Sequence, residues 1–170
     1  MEFYEEQKFN QKWLWLIIII SGLFVIGLFG YGLIKQVFMR IQFGDNPMSN
    51  NALTCTFIFT ILLFCIIIWL FSISKLITRI DKFGIEFRFI PYHSKFKIIS
   101  WSDIERVEVK RYKPLKEYGG WGIRSGKNGK AYNVDGDKGL LIFFKTGKQI
   151  LIGTQKDVEL NEFLKKLKNQ

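Results

Sequence analysis

WLWLIIIISGLFVIGLFGYGLI (residues 13–34) and LTCTFIFTILLFCIIIWLFSIS (residues 53–74) are two runs without a charged side chain. Wound as α-helices at 1.5 Å per residue, each spans roughly 33 Å, against a hydrocarbon core of about 30 Å. They read as a two-helix transmembrane hairpin, residues 1–76, carrying a cytosolic domain, residues 77–170. A cleaved signal peptide is not expected. The chain starts with Glu2, Glu5 and Glu6 instead of basic residues, the first run is too long, and no small-residue cleavage site follows it.

The chain has 170 residues and a formal charge of +10. Up to position 74, Lys8, Lys12, Lys35 and Arg40 cancel Glu2, Glu5, Glu6 and Asp45, so the whole excess lies in the tail. Two spans put both termini on one side, together with Lys8, Lys12, Lys75, Arg79 and Lys82; the connecting loop holds only Lys35 and Arg40. Basic flanks are retained in the cytoplasm, which predicts cytoplasmic termini. Trp13, Trp15 and Trp69, with Lys75 and Arg79, are the candidate interface anchors, because an indole suits a boundary between apolar and wet surroundings. Cys55 and Cys65 lie ten residues apart in the second run. About 15 Å of helix then separates them, too far for a disulfide.

Turn formers from Gly44 to Asn51 close the hairpin, while Gly27 and Gly30 on the first span and Thr56 and Thr60 on the second offer close helix approach. The tail changes character at once. Short segments of strand pattern recur at 77–81, 85–90, 96–100, 106–111, 131–134, 140–145 and 149–152, with another at 121–124. Phe83-Gly84, Asn128-Gly129, Asp135-Gly136 and Thr146-Gly147 mark turns between them. Leu160, Phe163, Leu164 and Leu167 then repeat at helical spacing, behind a capping-box-like Thr154 and Asp157 and ahead of Lys165, Lys166 and Lys168. The expectation is about seven antiparallel strands in a sandwich or partial barrel, capped by a C-terminal amphipathic α-helix. That is the element order of a PH-like domain.

The opening hairpin at Phe83-Gly84-Ile85, Trp101-Ser102-Asp103-Ile104 leading into a strand, the Thr146-Gly147-Lys148 hairpin and the closing helix carry a resemblance. The tail resembles bacterial PH-like domains found beside one or two transmembrane helices. Tyr118-Gly119-Gly120-Trp121-Gly122-Ile123-Arg124, Ala131-Tyr132-Asn133-Val134 and Ile152-Gly153-Thr154 are similar to small uncharacterised membrane proteins of bacteria within that group. The resemblance implies a PH-like fold and a bacterial inner-membrane location; it implies no particular ligand.

Catalytic groups are scarce. His93 is the one histidine and sits in a turn-like Pro91-Tyr92-His93-Ser94, the tail has no cysteine, and its carboxylates do not pair in a recognisable spacing. Asn133 to Lys138 superficially follows a calcium loop, but Lys138 replaces the glycine and Phe144 the bidentate glutamate, so it reads as a hairpin. No nucleotide-phosphate cradle or zinc spacing occurs. No enzyme activity and no cofactor or metal are expected.

Residues 112–132 stand apart, with Lys113, Lys116, Arg124, Lys127 and Lys130 interleaved with Tyr118, Trp121, Tyr132 and closely spaced glycines. These five basic residues are the candidate contacts for an anionic lipid headgroup or a protein partner. In the competing reading Trp121 and Ile123 plug the core and Arg124 pairs with an internal carboxylate. Nucleic acid is not expected, given membrane attachment and acidic residues among the strands. The function this points to is a membrane-anchored, non-enzymatic binding or scaffolding module whose partners are the bilayer, anionic headgroups, another membrane protein or a second copy. The alternative is an accessory or regulatory subunit of a larger transporter or channel.

Overall fold

A computed structural model of the chain describes residues 1–126 and 129–168. The chain divides into two compact units, Asn10–Ser72 and a second one made of Met1–Phe9 with everything from Ile73 onward.

The first unit is helical. Strand β1 (Phe3–Lys8) precedes it, then come α1 (Lys12–Leu33), continued by a π-helical turn over Ile34–Phe38, and α2 (Asn50–Ile73). Both helices are long and apolar enough to cross a membrane, and few of their side chains are buried. A core helix of a soluble protein would be buried instead. The hydroxyls of Ser21, Thr54, Thr56, Thr60 and Ser72 donate to carbonyls three or four residues back, so each is satisfied within its own helix. Close approach uses one of the two expected glycines, Gly30, together with Gly22 in place of Gly27. A Cβ on Gly22 would stand 2.9 Å from the Phe64 ring and one on Gly30 3.4 Å from Phe57, whereas Gly27 faces open space.

The second unit holds two sheets and two helices. The four-stranded sheet runs β1-β2-β3-β4, all antiparallel, with β2 at Lys75–Ile80, β3 at Gly84–Ile90 and β4 at Lys97–Ser100. The five-stranded sheet runs β5-β8-β9-β7-β6, with β5 at Ile104–Arg111, β6 at Gly122–Gly126, β7 at Gly129–Asn133, β8 at Lys138–Phe144 and β9 at Gln149–Gly153. A short helix α3 (Pro114–Tyr118) precedes β6, and α4 (Asp157–Lys168) ends the described chain.

Alternation explains the core. Leu76, Ile80, Ile85, Phe87 and Phe89 turn inward from the first sheet and Leu140, Ile142, Ile152 and Tyr132 from the second, with Phe87 and Tyr132 rings 4.7 Å apart across the gap. Leu160, Phe163 and Leu164 of α4 are buried, and the Phe163 ring lies 6.0 Å from Phe3. The opposite face of the second sheet forms a further small core of Ala131, Leu141 and Leu151 under Tyr112 and Tyr118.

Four expectations need correction. The chain before the hairpin is not an appendage of it: β1 pairs with β2 from Phe3↔Ile80 to Lys8↔Lys75. The strands are nine among the described residues, and β7 pairs with β9 in parallel. The turn after Asn133 is therefore no hairpin, since β9 lies between β7 and β8. Lastly, Thr154 does not box the start of α4. Its hydroxyl donates to Glu5 Oε2 at 2.6 Å and accepts from Lys156 N at 3.1 Å. Of the turn glycines, Gly136 and Gly147 do adopt φ of 76° and 77°, while Asn128 lies outside the described residues.

Glu5 and Gln7 point inward from β1. Gln7 Nε2 donates to the Gly153 carbonyl at 2.7 Å, and Glu5 Oε1 accepts from Gln155 N at 2.7 Å. Burial pushes the Glu5 carboxyl above its ordinary value, against the hydrogen bonds from Thr154 and Gln155 and the charge of Lys156 that pull it down. As pH rises from 4.5 through the raised folded value, the unfolded chain has already lost this proton while the folded one still binds it. Glu5 therefore subtracts stability as pH rises through that window, and none below it. Glu5→Gln is expected to remove this part of the slope in a pH series of thermal melts. An unchanged slope would show that Glu5 is not buried in the folded chain.

Candidate functional site

The loop-rich stretch after β5 is built by a helix and its cap. Pro114 occupies the first turn of α3, where its missing N–H costs nothing, and Glu117 Oε1 accepts from the Lys113 backbone N–H at 2.7 Å. At the other end Gly119, in the left-handed conformation, donates its N–H to Leu115 O at 3.0 Å, the bond of an αL stop, and Gly120 N donates to Pro114 O at 3.0 Å. Gly119, Gly120 and Gly122 have φ of 73°, 120° and 110°, conformations that side chains resist. The glycines thus serve the sharp return from α3 into β6.

Asn133, fully buried, fixes that return: its Oδ1 accepts from Gly122 N at 2.9 Å and its Nδ2 donates to Tyr112 OH at 2.8 Å. Burial drives the Tyr112 hydroxyl up to about 12, so it stays protonated. Trp121, half-buried, donates Nε1–H to the Gly136 carbonyl at 2.9 Å.

Arg124 is exposed. Its Nε donates to the Trp121 carbonyl at 2.8 Å, and it makes no ion pair among the described residues. Ile123 is 38% exposed, so Tyr112 and Tyr118, rather than Trp121 and Ile123, fill this small core. Arg124→Ala is expected to shift stability by no more than about 0.5 kcal/mol, as exposed substitutions do. A thermal melt measures it, and a large loss would place the guanidinium in a structural role.

Register separates the candidate basic residues. Arg124 pairs with Ala131 and Ser125 with Lys130, so Arg124 and Lys130 project from opposite faces of the sheet. Lys113, which precedes α3, and Lys116, within it, are exposed, and Tyr118 of α3 covers the Arg124 face. Lys127 lies outside the described residues.

Lys130 instead joins the β8–β9 turn. The parallel pairing Lys130↔Ile150 brings it to an open hollow of about 640 Å³ lined by Gly129, Lys130, Phe144, Thr146, Lys148 and Ile150, among others. Lys130 and Lys148 are exposed there, and among the described residues no carboxylate lines the hollow. An anion entering it meets two ammonium groups and an apolar floor. The sequence shows Thr146-Gly147-Lys148 only as a turn; the parallel pair that recruits Lys148 has no local signal.

Of the candidate anchors, Trp13 and Trp69 are more than half exposed and Trp15 is half-buried. Lys75 opens β2 and reaches Glu6 Oε2 at 3.1 Å, which holds the Glu6 carboxyl below its ordinary value. Arg79 lies over the rings of Tyr4 and Phe96, with 5.6 and 4.8 Å to the centroids. His93 is half-buried, and its Nδ1 accepts the Phe89 backbone N–H at 3.1 Å. Burial and then Lys97 lower its pKa, which keeps that acceptor neutral. Its hydrogen bonding serves the β3–β4 loop. Among the described residues no cluster of three His, Cys, Asp or Glu side chains is arranged to hold a metal.

No protein-family model matches this chain, and no curated protein matches it.

Proposed function

We propose that the chain is a membrane-anchored binding module: α1 and α2 cross the bilayer, and a PH-like domain on the cytoplasmic side engages anionic headgroups or a protein partner without catalysing a reaction. The observation that carries this is the β1–β2 pairing, because it builds both chain segments flanking the apolar hairpin into one sheet. A domain so constructed is tied to the hairpin at both ends and stands on one side of any membrane the helices cross. The PH-like reading is supported by two facing sheets followed by an amphipathic helix with a buried apolar face. A strand from before the hairpin and the parallel β7–β9 pair are departures from the expected element order.

Ligand capture falls to the hollow of Lys130 and Lys148, where each well-placed ammonium adds about 1 kcal/mol of attraction to an anionic leaflet. Two measurements test the proposal. Reporter fusions at either terminus should both be active only as cytoplasmic proteins; opposite sides would overturn the anchor. The full chain purified in mild detergent should retain anionic lipids above their share of the membrane extract, and Lys130→Glu with Lys148→Glu should remove the excess. A lipid profile equal to the extract in both proteins would reject headgroup capture.

A further inference from the structure

The two ends of the first sheet differ in a way that the register makes exact. Helix α2 ends at Ile73, and Lys75 opens β2 two residues later. Lys75 pairs with Lys8 on one side and Ile90 on the other, so these three residues form the end row of the sheet nearest the apolar helices along the chain. The β3–β4 loop, residues 91–96, leaves from that row. It carries Tyr92, 62% exposed, and the exposed Lys95.

This loop is held in shape. His93 N donates to Phe89 O at 2.8 Å, Arg88 Nε donates to His93 O at 3.0 Å, and the Tyr92 ring lies 5.9 Å from that of Phe89. Tyr92 is thus presented outward on a pinned turn. The opposite end of the same strands bears a matching exposed aromatic, Phe83, 73% exposed in the β2–β3 turn. Lys75 and Ile80 are five residue steps apart, so the two ends stand roughly 17 Å apart.

We propose that the β3–β4 loop seats Tyr92 and Lys95 in the headgroup layer of an anionic bilayer. The proposal rests on the reading that α1 and α2 span that bilayer. A tyrosine pairs an apolar ring with a hydroxyl and suits the interface, and Lys8, Lys75 and Lys95 give this end of the sheet a positive charge that Glu6 only partly offsets. The loop is a third point of support beside the two chain exits.

The full chain, reconstituted in phosphatidylcholine vesicles with or without phosphatidylglycerol, provides the test. Single cysteines carry a polarity-sensitive fluorophore at Tyr92→Cys, at Phe83→Cys, or at native Cys65 in α2, each with the other native cysteines replaced by alanine. A quencher attached to the lipid is expected to quench the label at position 92 several-fold more than that at 83. The difference should grow with phosphatidylglycerol and shrink on Lys95→Glu. Equal quenching at 92 and 83, with the Cys65 label quenched from within the bilayer, would overturn the loop contact while leaving the span reading intact. An unquenched Cys65 label would overturn both.

Discussion

Phe3→Ala is expected to cost the domain about 3–5 kcal/mol, a large part of the roughly 5–15 kcal/mol that holds a domain folded. Phe3 is 2% exposed, stands against Phe163 of α4, and belongs to an edge strand whose other inward residues, Glu5 and Gln7, are polar. It is the single large apolar contact that β1 contributes to the interior. Removing it leaves a cavity that the strand cannot close, because Glu5 and Gln7 are fixed by their bonds to Thr154, Gln155 and Gly153. Tyr4→Ala is the control: the neighbour on the outer face is 45% exposed and should cost under about 1 kcal/mol, mostly through its contact with Arg79. Thermal melts followed by the near-ultraviolet signal compare the two. Equal melting of Phe3→Ala and the parent would mean that β1 is not a standing member of the sheet. If the loss is as large as expected, a fragment starting at Lys75 should not fold by itself, and binding experiments need the full chain.

The same strand shows why part of the fold was hidden in the sequence. Strands β2 to β5 and β7 to β9 announce themselves by apolar alternation, and their observed bounds lie within two residues of those the pattern predicts. In Phe3-Tyr4-Glu5-Glu6-Gln7-Lys8 the buried set is Phe, Glu and Gln, while the exposed set includes Tyr4, so polarity does not report the face. The groups that bond the Glu5 carboxylate and Gln7 Nε2 lie near position 154, far along the chain. Helix α3 is a different case: Pro114 at its start and Gly119 at its stop are legible signals, overshadowed by the density of basic and aromatic residues around them. The basic residues themselves were visible as types, not as a surface. Only the strand register shows that Arg124 and Lys130 face apart, and only the parallel pairing of β7 with β9 brings Lys130 to Lys148.

Leu160→Asp is expected to unfold the domain at neutral pH. Leu160 is 1% exposed on the inner face of α4, and a carboxylate there is taken out of water without a partner, at a cost of several kcal/mol added to the lost packing. The two contributions separate by pH. Leu160→Ala removes packing alone, about 2–5 kcal/mol, with little dependence on pH. In Leu160→Asp, burial raises the folded-state pKa of the introduced carboxyl above the unfolded value of about 3.9. Below that value both states are protonated and the charge penalty vanishes; as pH rises through the folded value the penalty grows to its full size. The gap between the aspartate and alanine variants should therefore be wide at neutral pH and narrow in acid. Circular dichroism melts across that range measure it. A Leu160→Asp protein that melts with the parent would show that α4 does not close the sandwich, and the PH-like reading would lose the element that completes it.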